Sequence, residues 1–288
     1  MLIVRTVPDP HDQQIPYSFP FIAYSTTRMQ TTMGVKRASW YLIATLFILS
    51  WQACTTKENA QPDTSSTTDF LYQYSIINAL LAGVFDGNLT FGELKKHGDF
   101  GVGTFNRVDG ELVINEGKRY RIRSNGSVSE VADRDSTSLA FVKFFKADSS
   151  FTVQTAGMTL QQLQKKIAAA LPVNEIYAIR IKGTFSKMTT RAPAPAQKPY
   201  PTLNDHLART QVIFNLTNTT GVAVGFLVPT YMEKVNVPGF HFHYLADDLK
   251  SGGHVYDFTA TQVTVEIDRT KGYYVELNTH SDFGKVTL

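Results

Sequence analysis

Asn236-Val-Pro-Gly-Phe-His-Phe-His-Tyr-Leu-Ala-Asp-Asp-Leu-Lys-Ser-Gly-Gly-His-Val-Tyr-Asp-Phe258 contains three of the chain's seven histidines, His241, His243 and His254. In an extended strand residues two apart share a face, so His241 and His243 project together while Phe242 and Tyr244 go to the other side. Asp247 to Gly253 is rich in reversal residues. A hairpin folded about Asp248 and Leu249 sets position 254 opposite 243 and brings the three imidazoles to one point. His-x-His alone would read as two ordinary strand histidines. The third histidine at hairpin spacing favours a metal, because three neutral nitrogens with an open fourth position make a catalytic zinc arrangement. Spacing leaves zinc, iron and manganese open, and cupin barrels use a similar pair.

Outward from the hairpin, Gln211–Asn218, Thr220–Pro229, Val237–Leu245, Gly253–Phe258 and Thr261–Asp268 read as strands separated by turn residues. Glu175–Lys182 opens this block, and Ala192-Pro-Ala-Pro-Ala196, with Pro199 and Pro201, is a stiff surface connection. Nearer the N-terminus, Asp109-Gly110, Glu116-Gly117 and Asn125-Gly126 punctuate Val102–Val108, Glu111–Asn115 and Lys118–Arg123 in the manner of hairpins, and Phe141–Phe145 is a further strand. Apolar spacing predicts a helix over Phe70–Val84. Thr90 and Glu93 form a capping-box pattern for a short second helix, and Thr159 caps an amphipathic helix over Leu160–Leu171. Helices lie between groups of strands, which predicts an α+β fold with mostly antiparallel or mixed sheets. The expected division is an N-terminal α+β subdomain over 70–170 and a C-terminal, β-rich, metal-binding subdomain over 171–288.

Ahead of this body lies a leader. Met33-Gly-Val-Lys36-Arg37 precedes the apolar run Trp40–Trp51, then Gln52-Ala53-Cys54 and a polar stretch to Asp69. Those are the parts of a secretory signal, and the run is shorter than the roughly 20 apolar residues of a membrane helix. Cys54 resembles the lipidated cysteine of a bacterial lipoprotein, although Trp51 and Gln52 depart from the usual lipobox. On this reading Met33 is the true start, 1–54 is leader, 55–69 is a flexible tether, and the protein is exported and anchored through Cys54 in the periplasm or at the cell surface. Without a working leader it is cytoplasmic. Cys54 is the only cysteine, so a metal must be held by histidine and oxygen. The net charge of +3 is concentrated in the leader, which gives no reason to expect a nucleic-acid partner. No glycine motif for a nucleotide cofactor is present.

Leu71-Tyr-Gln-Tyr-Ser-Ile-Ile-Asn-Ala-Leu-Leu-Ala-Gly-Val-Phe-Asp-Gly87, Thr90-Phe-Gly-Glu-Leu-Lys-Lys-His-Gly-Asp-Phe-Gly-Val-Gly-Thr-Phe-Asn106, Tyr177-Ala-Ile-Arg-Ile-Lys-Gly-Thr-Phe-Ser-Lys187 and Val237-Pro-Gly-Phe-His-Phe-His243 resemble α-acetolactate decarboxylase, as does Asp247 to Val255. The resemblance runs from about Phe70 to the C-terminus. It implies decarboxylation of 2-acetolactate to (R)-acetoin, zinc on His241, His243 and His254 as Lewis acid toward the ketone and hydroxyl, and a homodimer. Arg191 matches the family's active-site arginine, which orients substrate or stabilises developing charge. Glu111 matches a glutamate that moves a proton, and Thr104 would line the pocket. The family's second glutamate, near its C-terminus, has Glu276 as nearest candidate here, in surroundings that do not match. Two alternatives stay open: a cupin-like metalloenzyme, and a metal- or ligand-binding lipoprotein with a degenerate site. His97 reads as a charge at a helix C-terminus, His206 and His280 as surface histidines, and Asp247 and Asp248 as turn residues.

Overall fold

The computed structural model describes residues 69–288, so the expected leader and, but for Asp69, the tether lie outside the described residues. In chain order the elements are β1 (Phe70–Tyr74), α1 (Ile77–Leu81), β2 (Leu89–Thr90), α2 (Phe91–Leu94), β3 (Phe100–Thr104), β4 (Glu111–Asn115), β5 (Lys118–Ile122), β6 (Val128–Glu130), β7 (Ser136–Thr137), β8 (Leu139–Lys143) and β9 (Ser149–Thr159). There follow α3 (Leu160–Ala168), β10 (Ile176–Ala192), α4 (Leu203–Thr210), β11 (Val212–Val228), β12 (Gly239–Ala246), β13 (Gly252–Thr270) and β14 (Gly272–Glu276). The fold is α+β, as the segregation of helices from strands implied.

Two sheets carry the structure. One has seven strands in the order β14-β1-β8-β3-β4-β5-β6. The other has the order β10-β11-β12-β13-β9, and β10 also pairs with β13, so β10, β11, β12 and β13 close into a ring with β9 attached outside it. The alternation of strand side chains sorts them into layers. Phe100, Val102, Val113 and Phe141 of the first sheet meet Ala178, Val222, Val224, Phe226 and Leu245 of the second. On the far face of the first sheet, Tyr72, Leu112 and Ile114 pack with Phe91 and Leu94 of α2. On the other face of the second sheet, Ile179, Met188, Tyr244 and Phe258 pack with Leu163 and Ile167 of α3. Burying each such side chain stabilises the fold by about 1.5–3 kcal/mol.

Three expectations are corrected. Phe70–Tyr74 is a strand and not the start of a helix. It is sandwiched between β14, parallel, and β8, antiparallel, with residues 71–74 all buried. A strand covered on both faces carries apolar residues on each, here Leu71, Tyr72 and Tyr74 around a hydrogen-bonded Gln73, and so mimics a helical stretch. Ser75, with φ +65°, then turns the chain into the short α1. The division near residue 170 also fails, because the described residues belong to one compact unit. β9 lies on β13 in the second sheet, and β14 returns to the first beside β1. Strand partners are fixed by long-range packing, which a local reading does not see. Lastly, the strand pairs expected at 211–229 and 253–268 are single long strands, β11 and β13.

Helix ends follow the capping chemistry. The Thr159 hydroxyl accepts from the Gln162 amide while the Gln162 side chain accepts from the Thr159 amide, a full capping box for α3. Thr90 accepts from the Glu93 amide at α2. Helix α4, not expected from sequence, is capped by Thr202 and buries Leu203 and His206.

Candidate metal centre

The hairpin joining β12 to β13 is built at its turn. The Lys250 amide donates to Asp248 Oδ1 at 3.0 Å, so Asp248 is a turn residue, and the Leu249 amide donates to the Ala246 carbonyl at 3.0 Å. Gly252 and Gly253 let backbones approach: a Cβ at either would lie 2.4 Å from the carbonyl oxygen of Tyr244 or Arg191 respectively. The resulting register sets His243 opposite His254, the pairing expected from the spacing. Phe242 and Tyr244 point into the α3 side of the sheet, while the histidines face the first sheet.

The three imidazoles converge. His241 Nε2 lies 3.2 Å from His243 Nε2 and 3.2 Å from His254 Nδ1. Nitrogens about 2.0–2.1 Å from a tetrahedral zinc stand about 3.3 Å from one another, so the donor set fits such an ion. The donor chemistry agrees. His243 Nδ1 donates to the Leu112 carbonyl of β4 at 2.8 Å, which leaves Nε2 as a lone pair. Desolvation between the sheets holds His243 down to about 3, and holds His241 and His254 well below the ordinary imidazole value. Nearby Arg191 adds to the effect at all three. All three neutral rings turn a nitrogen toward one point, and together they could hold a metal ion.

Beside them stands a buried ion pair. Glu111, first residue of β4, is held by the turn at Gly110, whose φ is +95° and whose Cβ would fall 2.4 Å from the Ile122 carbonyl oxygen. Its Oε1 accepts from Arg191 Nη1 at 2.8 Å, and its Oε2 lies 3.3 Å from His243 Nε2. Burial pushes the Glu111 carboxyl up to about 7 against the opposing pull of Arg191. Arg191 pairs with His254 in the β10–β13 register, and its Nε is buried with no hydrogen-bond partner.

Glu111, Arg191, His241, His243 and His254 are therefore brought together. Thr104 is Glu111's register partner on β3, buried, with its hydroxyl donating to the Gly110 carbonyl at 2.8 Å. It steadies the turn that aims Glu111. Glu276 is not brought in: its Oε2 accepts from Tyr72 Oη at 2.8 Å on β14, and β14 is four strand spacings from β4, about 19 Å across the sheet. Two of the remaining histidines differ from expectation. His206 is buried, its Nε2 2.7 Å from the Ala194 carbonyl oxygen, because α4 needs an anchor on the proline-rich connection. His97, just beyond α2, stacks on Tyr72 at 3.8 Å. His280 joins Asp86 and Asp282 in a second group with ligand atoms within 4.8 Å. There Lys198 and Lys285 already pair with the two carboxylates. Sequence reasoning missed the Leu112 carbonyl, which no residue type could signal, and Tyr256, whose position two residues after His254 was the available sign.

Residues 71–288 match the family described as Alpha-acetolactate decarboxylase. The chain is 39% identical over 219 residues to "Alpha-acetolactate decarboxylase" of Bacillus subtilis (strain 168), covering 76% of this chain and 85% of that one. It is 38% identical over 233 residues to the protein of the same name from Methanosarcina mazei, covering 80% of each. The crystal structure of alpha-acetolactate decarboxylase from Bacillus subtilis strain 168 superposes with a TM-score of 0.74 at 38% identity, over 76% of this chain and 93% of that one.

Proposed function

Because the chain belongs to the alpha-acetolactate decarboxylase family, we propose that its metal is zinc, held by His241, His243 and His254, and that Arg191 and Glu111 act on the substrate. The protein is a carboxy-lyase that converts 2-acetolactate to acetoin and carbon dioxide. The observation that carries the zinc reading is the convergence of the three imidazoles, with His241 Nε2 3.2 Å from both His243 Nε2 and His254 Nδ1 and the His243 tautomer fixed by the Leu112 carbonyl.

Loss of carbon dioxide leaves an electron pair that the neighbouring ketone must accept. When bound, zinc supplies the Lewis acid toward the ketone and hydroxyl oxygens. Arg191 orients the substrate and stabilises developing negative charge through donors that Glu111 leaves free, its unpartnered Nε among them. Gripping the carboxylate would not itself expel it, since only interactions stronger in the transition state raise the rate. Glu111, raised to about 7, can carry a proton on Oε2 near neutral pH and deliver it to one face of the substrate carbon, which sets the (R) centre. Thr104 serves by fixing the Gly110 turn beneath Glu111.

The test is acetoin formation by the purified protein, after chelation and after restoring zinc, iron or manganese, with His241→Ala alongside. Zinc should restore the rate, and His241→Ala should lose both metal and activity. Restoration by iron or manganese but not zinc would end the zinc assignment. The reading extends to a homodimer, supported by the family resemblance, and to export with a lipid on Cys54, supported by the order of basic, apolar and cysteine residues. Sedimentation as a monomer would remove the first. Membrane association that Cys54→Ser leaves intact would remove the second.

A further inference from the structure

β13 carries an irregularity next to the site. Its register with β10 runs Arg191 to His254 and Thr190 to Val255, then shifts so that Thr189 faces Asp257. Tyr256 is thus the extra residue of a β-bulge, a device that re-aims one side chain relative to the regular alternation. The bulge turns the Tyr256 ring toward two members of the site. It meets the His254 imidazole edge-on, with ring centroids 5.8 Å apart and planes at 83°. The guanidinium carbon of Arg191 stands 5.9 Å from the same ring centre, at the outer limit of a cation–π contact. The far end of the side chain is anchored too, since the hydroxyl donates to Gln211 Oε1 at 2.7 Å, in the residue that closes α4. Tyr256 is 46% exposed, whereas the Arg191 side chain is only 13% exposed.

Glu111 takes Nη1 of Arg191, the Nε has no hydrogen-bond partner, and the ring of Tyr256 lies against the guanidinium. His254 is paired through its backbone both to His243 and to Arg191. We propose that Tyr256 is the positioning residue of Arg191: its ring, pinned to Gln211, fixes the guanidinium so that its unpaired donors face the substrate, while metal binding is left to the histidines. This rests on the substrate-binding role given to Arg191 above.

A double-mutant cycle tests it. Tyr256→Leu and Tyr256→Phe are made alone and on an Arg191→Lys background, with kcat, KM and bound zinc measured for 2-acetolactate. The affinity for 2-hydroxyisobutyrate is measured by calorimetry, because that acid carries the carboxylate and tertiary hydroxyl but no ketone to decarboxylate. Tyr256→Leu should lower kcat/KM about three- to fivefold, the scale of one exposed cation–π contact, at unchanged zinc content. Tyr256→Phe, which keeps the ring, should recover most of that loss. On the Arg191→Lys background the Leu substitution should cost less than about twofold in kcat/KM or in affinity, because residues acting through one another are not additive. An equal loss on both backgrounds, or loss of zinc with Tyr256→Leu, would overturn the proposal by placing the effect on His254 or on the fold. A wild-type enzyme that forms acetoin but is insensitive to Arg191→Lys would instead strike the role of Arg191, and a cycle showing full additivity would strike Tyr256 alone.

Discussion

Glu111 sits where opposite demands meet. Burial between the sheets favours its neutral form, and Arg191 at 2.8 Å favours its charged form, and the balance leaves the carboxyl near neutrality. A group so poised can both hold and release a proton at working pH. Glu111→Gln keeps the shape and the hydrogen bond to Arg191 while removing the exchangeable proton. It should lower kcat by about 10²- to 10⁴-fold, the usual worth of general acid–base catalysis, with metal content unchanged. Steady-state rates set beside metal analysis decide the matter: a variant that loses metal in step with activity would make Glu111 a support for His243 instead of a proton carrier. At this scale the sequence was legible unevenly. The histidines announced themselves by spacing, whereas Glu111 and Arg191 are an ordinary strand start and strand end until family resemblance singles them out.

The hairpin of β12 and β13 shows what an element can disclose from its residues. Two-residue alternation and a run of turn formers suffice to set 243 against 254, because a slip of one residue would turn every side chain to the other face. The fit is tight at its closing glycines. Gly252→Ala would drive a methyl to 2.4 Å from the Tyr244 carbonyl oxygen and 3.0 Å from Ile122 Cγ1 of the facing sheet. This overpacking should cost about 1–3 kcal/mol, read in urea unfolding, and should weaken metal binding by displacing His254. A variant with unaltered stability and metal affinity would show that the hairpin tolerates a shift. Other elements were less readable for physical reasons. β1 is buried on both faces, its apolar residues lack strand alternation and it imitates a helix, and α4 offers only Leu203 and His206 as buried residues, too little periodicity to register.

Across the whole molecule, the two sheets are joined by more than apolar contact. Lys143 of β8 and Asp268 of β13, both essentially inaccessible, pair at 2.7 Å, and Asp268 also accepts from the Lys146 amide. Removing one partner leaves an uncompensated buried charge, so Lys143→Met should destabilise by about 3–5 kcal/mol, while Lys143→Met with Asp268→Leu should recover most of it. Chemical denaturation of the single and double variants checks this, and equal losses in both would mean that the pair's packing matters more than its charge. The boundary expected near residue 170 was illegible for a related reason: β9 and β14 each join the sheet built mainly from the other half, through pairings that span long stretches of chain. The proposed chemistry is likewise divided, with Glu111 on one sheet and Arg191 and the imidazoles on the other. The working distance between them is the thickness of the filling. Phe100 and Phe226, whose rings meet edge to face at 5.9 Å across that gap, act as gauge blocks. Reactivity in this scaffold can therefore be retuned by substitutions that touch no reacting group, through side chains whose visible duty is only to keep two walls apart.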